Sequence, residues 1–145
     1  MSILVDTNVL LRSIQAQHPQ MATATRALNV LIGVNQDLRI AQQNVVEFWA
    51  VATRPVSKNG LGLSIEQAIV EVEIVRENFE MLPELPLDEE WQRLVTRYRV
   101  SGKSVHDARL VAAMLVHGVD RILTFNTQDF TRYAEIQPID PAQVN

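Results

Sequence analysis

The sequence predicts an α/β fold in which a central parallel sheet is covered by helices on both faces. Two observations carry this expectation. Short β-rich runs alternate along the whole chain with stretches whose apolar residues recur at helical spacing, and strands separated by helices pair in parallel. The chain is also long enough, at 145 residues with nearly half of them apolar, to bury a core without covalent staples. Residues 1–145 therefore read as a single domain, with no repeat and no low-complexity segment.

Each element has a local reason. Ile3–Val5, Leu38–Ala41, Glu80–Leu82 and Arg121–Phe125 read as short buried strands, and Ile136–Pro138 as a fifth at an edge. Asp6 ends the first strand and opens the helical run Thr7–Leu11. Pro19 precedes Met21, Ala24, Leu28 and Leu31, the stripe of an amphipathic helix. A further helix carries Asn44–Val51 and is apolar almost all round, so it is expected to be largely buried. Ser64 and Gln67 form a capping box before Ala68, Ile69, Val72 and Val75. Leu87, Trp91, Leu94, Val95 and Tyr98 make the next stripe, stopped near Gly102. Ser104 and Asp107 fit a second capping box before the run Ala108–Met114, and Asn126–Asp129 repeats that arrangement after the fourth strand. Between Arg54 and Gly62 the Pro, Asn and Gly punctuation predicts a loop.

Composition removes several chemistries. There is no cysteine, hence no disulfide, thiolate metal site or cysteine nucleophile. His18, His106 and His117 are dispersed without the spacing of a zinc site. The N-terminus lacks the basic start and long apolar segment that export requires, and no apolar run approaches the roughly 20 residues that span a bilayer. The sequence thus predicts a soluble, cytoplasmic protein with no membrane contact. A formal charge of −4 argues against global attraction to nucleic acid, so any such contact has to come from local basic residues.

Four acids stand out against this background. Asp6 and Asp129 follow strands, Asp107 opens an apolar helix, and Glu47 interrupts one. For Asp6 a helix cap is as good an explanation as a ligand, and for Asp107 and Asp129, each taken alone, a helix start is the better one; a cap and a metal ligand can share the same location. Glu47 is harder to explain as structure, because a buried carboxylate needs a partner and no Lys or Arg lies within a turn of it. If the fold gathers the four, their joint charge calls for a divalent cation. In open parallel sheets ligands bind beyond the carboxyl ends of the strands, where such residues would lie.

The segments Val5–Leu10, Asn44–Phe48, His106–Ala108 and Leu123–Phe130 resemble the successive acidic motifs of PIN domains, and the resemblance runs from Ile3 to about Pro138. The length is similar to that of VapC-type toxins of prokaryotic toxin–antitoxin pairs. The resemblance implies a three-layer α/β/α sandwich with four to five parallel strands, and a magnesium- or manganese-dependent ribonuclease. By position, Asp6, Glu47 and Asp107 match the three principal acids, the first and third as direct ligands. Many relatives carry Asp where this chain has Asn126, so the fourth place falls either to Asp129 or to Asn126 as a neutral neighbour. Occupancy of a second metal site is left open by that substitution. Thr7 and Asn8 match the polar pair after the first acid. The implied partners are RNA, a cognate antitoxin that inserts a basic side chain among the carboxylates, and a second copy of the chain, with Phe48, Trp49 and Trp91 as interface material.

Hard Mg²⁺ or Mn²⁺ suits carboxylates and water, and in-line attack would leave a 5′-phosphate and a 3′-hydroxyl. Arg12, Arg54, Lys58 and Lys103 are the basic candidates for the RNA backbone, each also explicable as an ordinary surface charge. Two rival readings remain. One is a catalytically silent scaffold of the same fold that binds RNA or protein; the other is a phosphoacceptor domain with Asp6 as the acceptor.

Overall fold

The computed structural model describes residues 2–145. Five strands form one wholly parallel sheet: β1 (Ser2–Val5), β2 (Asp37–Ile40), β3 (Glu80–Met81), β4 (Arg121–Leu123) and β5 (Gln137–Ile139). Their spatial order is β3-β2-β1-β4-β5. The chain builds outward from β1 to one edge, then returns to pair β4 against the other side of β1. That reversal opens a crevice beyond the carboxyl ends of β1 and β4.

Six helices cover the sheet: α1 (Thr7–Ser13), α2 (Met21–Gly33), α3 (Gln42–Thr53), α4 (Ile65–Asn78), α5 (Asp88–Arg97) and α6 (Ser104–Val116). The strand pleat sends alternate side chains to opposite faces. Ile3 and Val5 accordingly join a core with Val9, Leu28, Phe48 and Val75, from α1 to α4. Leu4 and Ile122 join the other core, with Leu94, Leu110, Val111 and Met114 from α5 and α6. The three-layer sandwich follows from this alternation.

The anticipated strands are all present, with ends shifted by one or two residues. Several local expectations need correction. The helix carrying Glu47 is not buried all round: Val46 is 60 % exposed and Ala50 is exposed, so α3 has an open face. Phe48, by contrast, is core, at 1 % exposure, and is no interface residue of the folded chain. Ser104 does not cap α6. The helix already includes it, and Lys103 before it makes no capping bond through its side chain. Residues Thr127–Asp129 form a single 3-10 turn, with no capping bond from the Asn126 side chain. The Ser64–Gln67 capping box is formed as expected.

Helix α5 ends at Arg97, ahead of the expected stop, because Arg99 takes a left-handed backbone at φ 54° before Gly102 does so at φ 64°. The loop after α3 turns back on itself. Leu61 N and Leu63 N donate to Val51 O and Ala52 O, and Gly62 N donates to Arg54 O. A Cβ at Gly60 would lie 1.9 Å from Arg54 O, so only glycine fits this close approach.

The core position of Phe48 gives a direct test. Truncation to alanine should cost about 3–5 kcal/mol of stability, the usual range for an enclosed phenylalanine. Chemical denaturation of Phe48→Ala measures it, and a loss below about 1 kcal/mol would show that the ring is not enclosed.

Candidate active site

The backbone brings the carboxyl ends of β1 and β4 together, and Asp6 is built into that junction. Asp6 N donates to Leu123 O at 2.9 Å, continuing the strand pairing by one residue. The side chain then caps α1, with Thr7 N donating to Asp6 Oδ1 at 2.8 Å. The second oxygen accepts from Thr124 Oγ1 at 2.8 Å and from Asn8 Nδ2 at 3.3 Å. Asp6 is only 8 % exposed. The cap reading and the ligand reading therefore meet in the same carboxylate.

Asn8 and Thr124 extend the junction toward the fourth acidic position. Asn8 Nδ2 donates to Thr124 Oγ1 at 3.2 Å, and Asn8 Oδ1 accepts from Phe125 N at 3.2 Å. Thr124 Oγ1 also accepts from Asn126 N at 3.0 Å. Beyond it, Asn126 and Asp129 stand exposed on either end of the 3-10 turn.

A second arm comes from α3. Asn44 is fully buried; its Oδ1 accepts from Ala41 N at 2.8 Å and its Nδ2 donates to Thr7 Oγ1 at 3.1 Å. Thr7 Oγ1 in turn donates to Glu47 Oε2 at 3.4 Å. One turn before Glu47, Gln43 Nε2 donates both to Glu47 Oε1 at 2.7 Å and to His106 O at 2.8 Å. Arg109 NH1 donates to Gln43 Oε1 at 3.1 Å. The α3 arm is thereby tied to α1 on one side and to the start of α6, which carries Asp107, on the other.

Asp6 and Asp107 each feel the charge of neighbouring acids. Asp6 is pushed up to about 6, mainly by burial; its bonds from Thr124 and Thr7 pull the other way, and repulsion from Glu47 and Asp107 adds to the rise. Asp107 is half-buried and also pushed up to about 6, by burial first and then by repulsion from Asp129 and Glu47, against the attraction of His106 and Arg132. Among the described residues no Lys or Arg forms an ion pair with any of the four acids. Oxygen donors, no thiolate and acids without a direct ion-pair partner among the described residues suit a hard divalent cation. No three of the Asp, Glu or His side chains among the described residues close on a single point to hold an ion. Mg²⁺ needs only one or two direct carboxylates and retains water for the rest, so an open arrangement of this kind fits it.

The family model for the PIN domain matches residues 3–136. The chain belongs to the PIN domain family. PIN domains are typically nucleases that use Mg²⁺. No match to the chain is found among curated proteins. Among solved structures, the fold is similar to VapBC-1 from nontypeable Haemophilus influenzae, with a TM-score of 0.73 and 16 % identity over 99 % of this chain and 100 % of that one. VapBC2 from Rickettsia felis, bound to a DNA fragment from their promoter, has a TM-score of 0.71 at 16 % identity, covering 97 % and 98 %. Mycobacterium tuberculosis VapC20, a sarcin–ricin loop cleaving toxin, has a TM-score of 0.64 at 20 % identity, covering 94 % and 100 %.

Within this PIN domain, Asp6, Thr7, Glu47 and Asp107 gather at the carboxyl edge of the sheet, with Asn126 and Asp129 beside them. The basic candidates divide. Lys103 immediately precedes α6 and lies on the side of the acids, four residues from Asp107. Arg12 is engaged by Gln15 and Gln20 near the end of α1. Arg54 and Lys58 follow the far end of α3, roughly 10 Å or more along the helix axis from Glu47. Sequence reasoning overlooked Thr124, Gln43 and Arg109. Thr124 had a visible signal, a hydroxyl inside the apolar run Ile122–Phe125.

For Asp6 and Asp107 the folded pKa of about 6 lies above the ordinary value of 3.8, so the folded chain holds protons that the unfolded chain releases first. Their stabilising contribution is complete below about pH 4 and is lost as pH rises through about 6. Asp6→Asn removes one such group. In the metal-free protein, the stability of wild type minus that of Asp6→Asn should fall between about pH 4 and about pH 7, by up to roughly 3 kcal/mol for this enclosed group. Denaturation curves across that range test it, and a difference that grows with pH would contradict the burial argument.

Proposed function

We propose that this PIN domain is a metal-dependent endoribonuclease, acting on single-stranded or structured RNA as the toxin of a type II toxin–antitoxin pair, with residues 1–145 as its one nuclease domain. The observation that carries the reading is the mutual repulsion of Asp6, Glu47, Asp107 and Asp129, with no Lys or Arg paired to them among the described residues. Supporting it are the fold's likeness to chains from toxin–antitoxin complexes and to a toxin that cleaves the sarcin–ricin loop.

Asp6 and Asp107 would hold Mg²⁺ or Mn²⁺ directly, with Glu47 and Asp129 acting through water or at a second ion. Bound there, the ion supplies a water of lowered pKa and positive charge for the phosphate. The chain's own contribution is orientation. Thr124 and Thr7 N fix both oxygens of Asp6, while Gln43 and Thr7 fix those of Glu47. Glu47 would accept the proton of the attacking water, whose oxygen adds to phosphorus as the P–O3′ bond breaks; the departing O3′ takes a proton from solvent, leaving a 5′-phosphate and a 3′-hydroxyl. Asn126 lends a neutral amide at the fourth position, and Lys103, just before the helix that carries Asp107, is the basic candidate for the RNA backbone at this end of the site. The cognate antitoxin inserts Arg or Lys among the carboxylates, where its charge replaces that of the ion. The active species is a cytoplasmic homodimer in which Trp49 and Trp91 lie toward the contact.

A silent scaffold of the same fold is the second reading. It is favoured by Asn126 in place of an acid and by the failure of three side chains to close on one point. Phosphoacceptor chemistry at Asp6 is disfavoured, since no second acid stands beside it as Asp-x-Asp or Asp-Asp.

Replacing Asp6 or Asp107 by Asn should lower Mg²⁺- or Mn²⁺-supported RNA cleavage on the order of 1,000-fold, several kcal/mol of lost charge stabilisation. Wild-type protein that neither cuts RNA nor binds either ion by calorimetry would establish the silent scaffold. Undiminished cleavage by one of the variants would remove that residue from its role.

A further inference from the structure

A cavity of about 420 Å³ lies on the other side of Gln43 from the acids. Its walls are the segment after β3, the start of α3, and one face of α6. We propose that this cavity is a subsite for a single RNA base next to the scissile phosphate, selective for a base whose Watson–Crick edge carries an amino group, guanine above all. The inference rests on the ribonuclease reading and adds the base at which this site discriminates.

Size and placement argue first. The volume is that of a small-ligand site, enough for one nucleotide and too little for a duplex. Gln43 is a shared wall: it bonds Glu47 on the acidic side and Arg109 on the cavity side. A strand whose phosphate lies over the acids therefore delivers its neighbouring nucleotide to this opening.

The lining then supplies each part of a nucleotide with a partner. Arg109 stands closest to the acids and has donors left beyond its bond to Gln43, suited to the linking phosphate. His117 lies eight residues on, just past the end of α6, roughly 12 Å farther along the axis. Its half-buried imidazole offers a stacking face for an unpaired base, with Leu85 and Pro86 as apolar cover. Glu84 and Asp88 complete the rim. Neither carries an ion pair or a side-chain hydrogen bond among the described residues, although both stand in a wall with Arg109.

Those free carboxylates set the selectivity. A carboxylate only accepts hydrogen bonds. Guanine presents two adjacent donors, N1–H and the N2 amino group, that match its two oxygens. Adenine and cytosine offer one amino group each. Uracil presents one N–H between two carbonyl oxygens, which the carboxylates repel. The order of preference is guanine first and uracil last.

The test uses the full chain without metal, isotopically labelled, titrated with the four nucleoside 5′-monophosphates and followed by amide chemical shifts. Guanosine monophosphate should move the amides of Glu84, Leu85, Ala113 and His117 saturably and bind about tenfold more tightly than uridine monophosphate. The double variant Glu84→Gln with Asp88→Asn, folded by the same spectrum, should lose that advantage. Equal affinity for all four nucleotides, or saturation that leaves these amides unmoved, overturns the subsite. Wild-type protein that cuts RNA but shows none of these shifts refutes the subsite alone. Binding of guanosine monophosphate here by a protein that never cuts RNA with Mg²⁺ or Mn²⁺ supports the subsite and sinks the nuclease reading.

Discussion

The enclosed carboxylate of Asp6 is the constraint around which the rest of the site is arranged. Through its backbone and side chain it joins β1 to β4 and starts α1. A charge so nearly removed from water is costly, and hydrogen bonds from Thr124 and Thr7 N offset only part of that cost. Asp6 therefore stands ready either to keep a proton or to take a cation. Everything that fixes its two oxygens, down to Asn8 holding Phe125 N, also fixes where the chain goes after β4.

Glu47 is positioned by a different logic. It lies on a half-open helix, and its orientation comes from side chains rather than from burial. Asn44 locks the entry of α3 and the Thr7 hydroxyl at once. Gln43 then links Glu47 to the backbone of His106, one residue before Asp107. Two acids from helices far apart in sequence are thus coupled by a single amide, which also forms the boundary with the neighbouring cavity. Loss of that amide would disturb both compartments together.

Much of the architecture was legible in the sequence, because strand and helix periods are local properties of adjacent residues. The alternation of Ile3, Leu4 and Val5 between two cores, and the Ser64–Gln67 cap, needed no tertiary information. The acids were legible as anomalies within apolar runs. What failed did so for physical reasons. Val46 and Ala50 made α3 look enclosed, but apolar residues are common at surfaces and their presence alone does not establish burial. Ser104 was displaced from its capping role when the helix began at it rather than after it, a shift of one residue at an end that hydrogen bonds define loosely. Thr124 and Gln43 act on partners 118 and 63 residues away, and no linear pattern records such distances.

The margins of the sheet carry one more implication. β3 is only two residues long, and β5 contains Pro138, which has no amide hydrogen to donate. Neither rim offers a template on which a foreign chain could add as a further strand, a route by which many sheets recruit ligands or aggregate. Whatever assembles with this protein must do so through side chains on its helical flanks or at the mouth of the crevice, and its specificity will be written in shape and charge rather than in main-chain pairing.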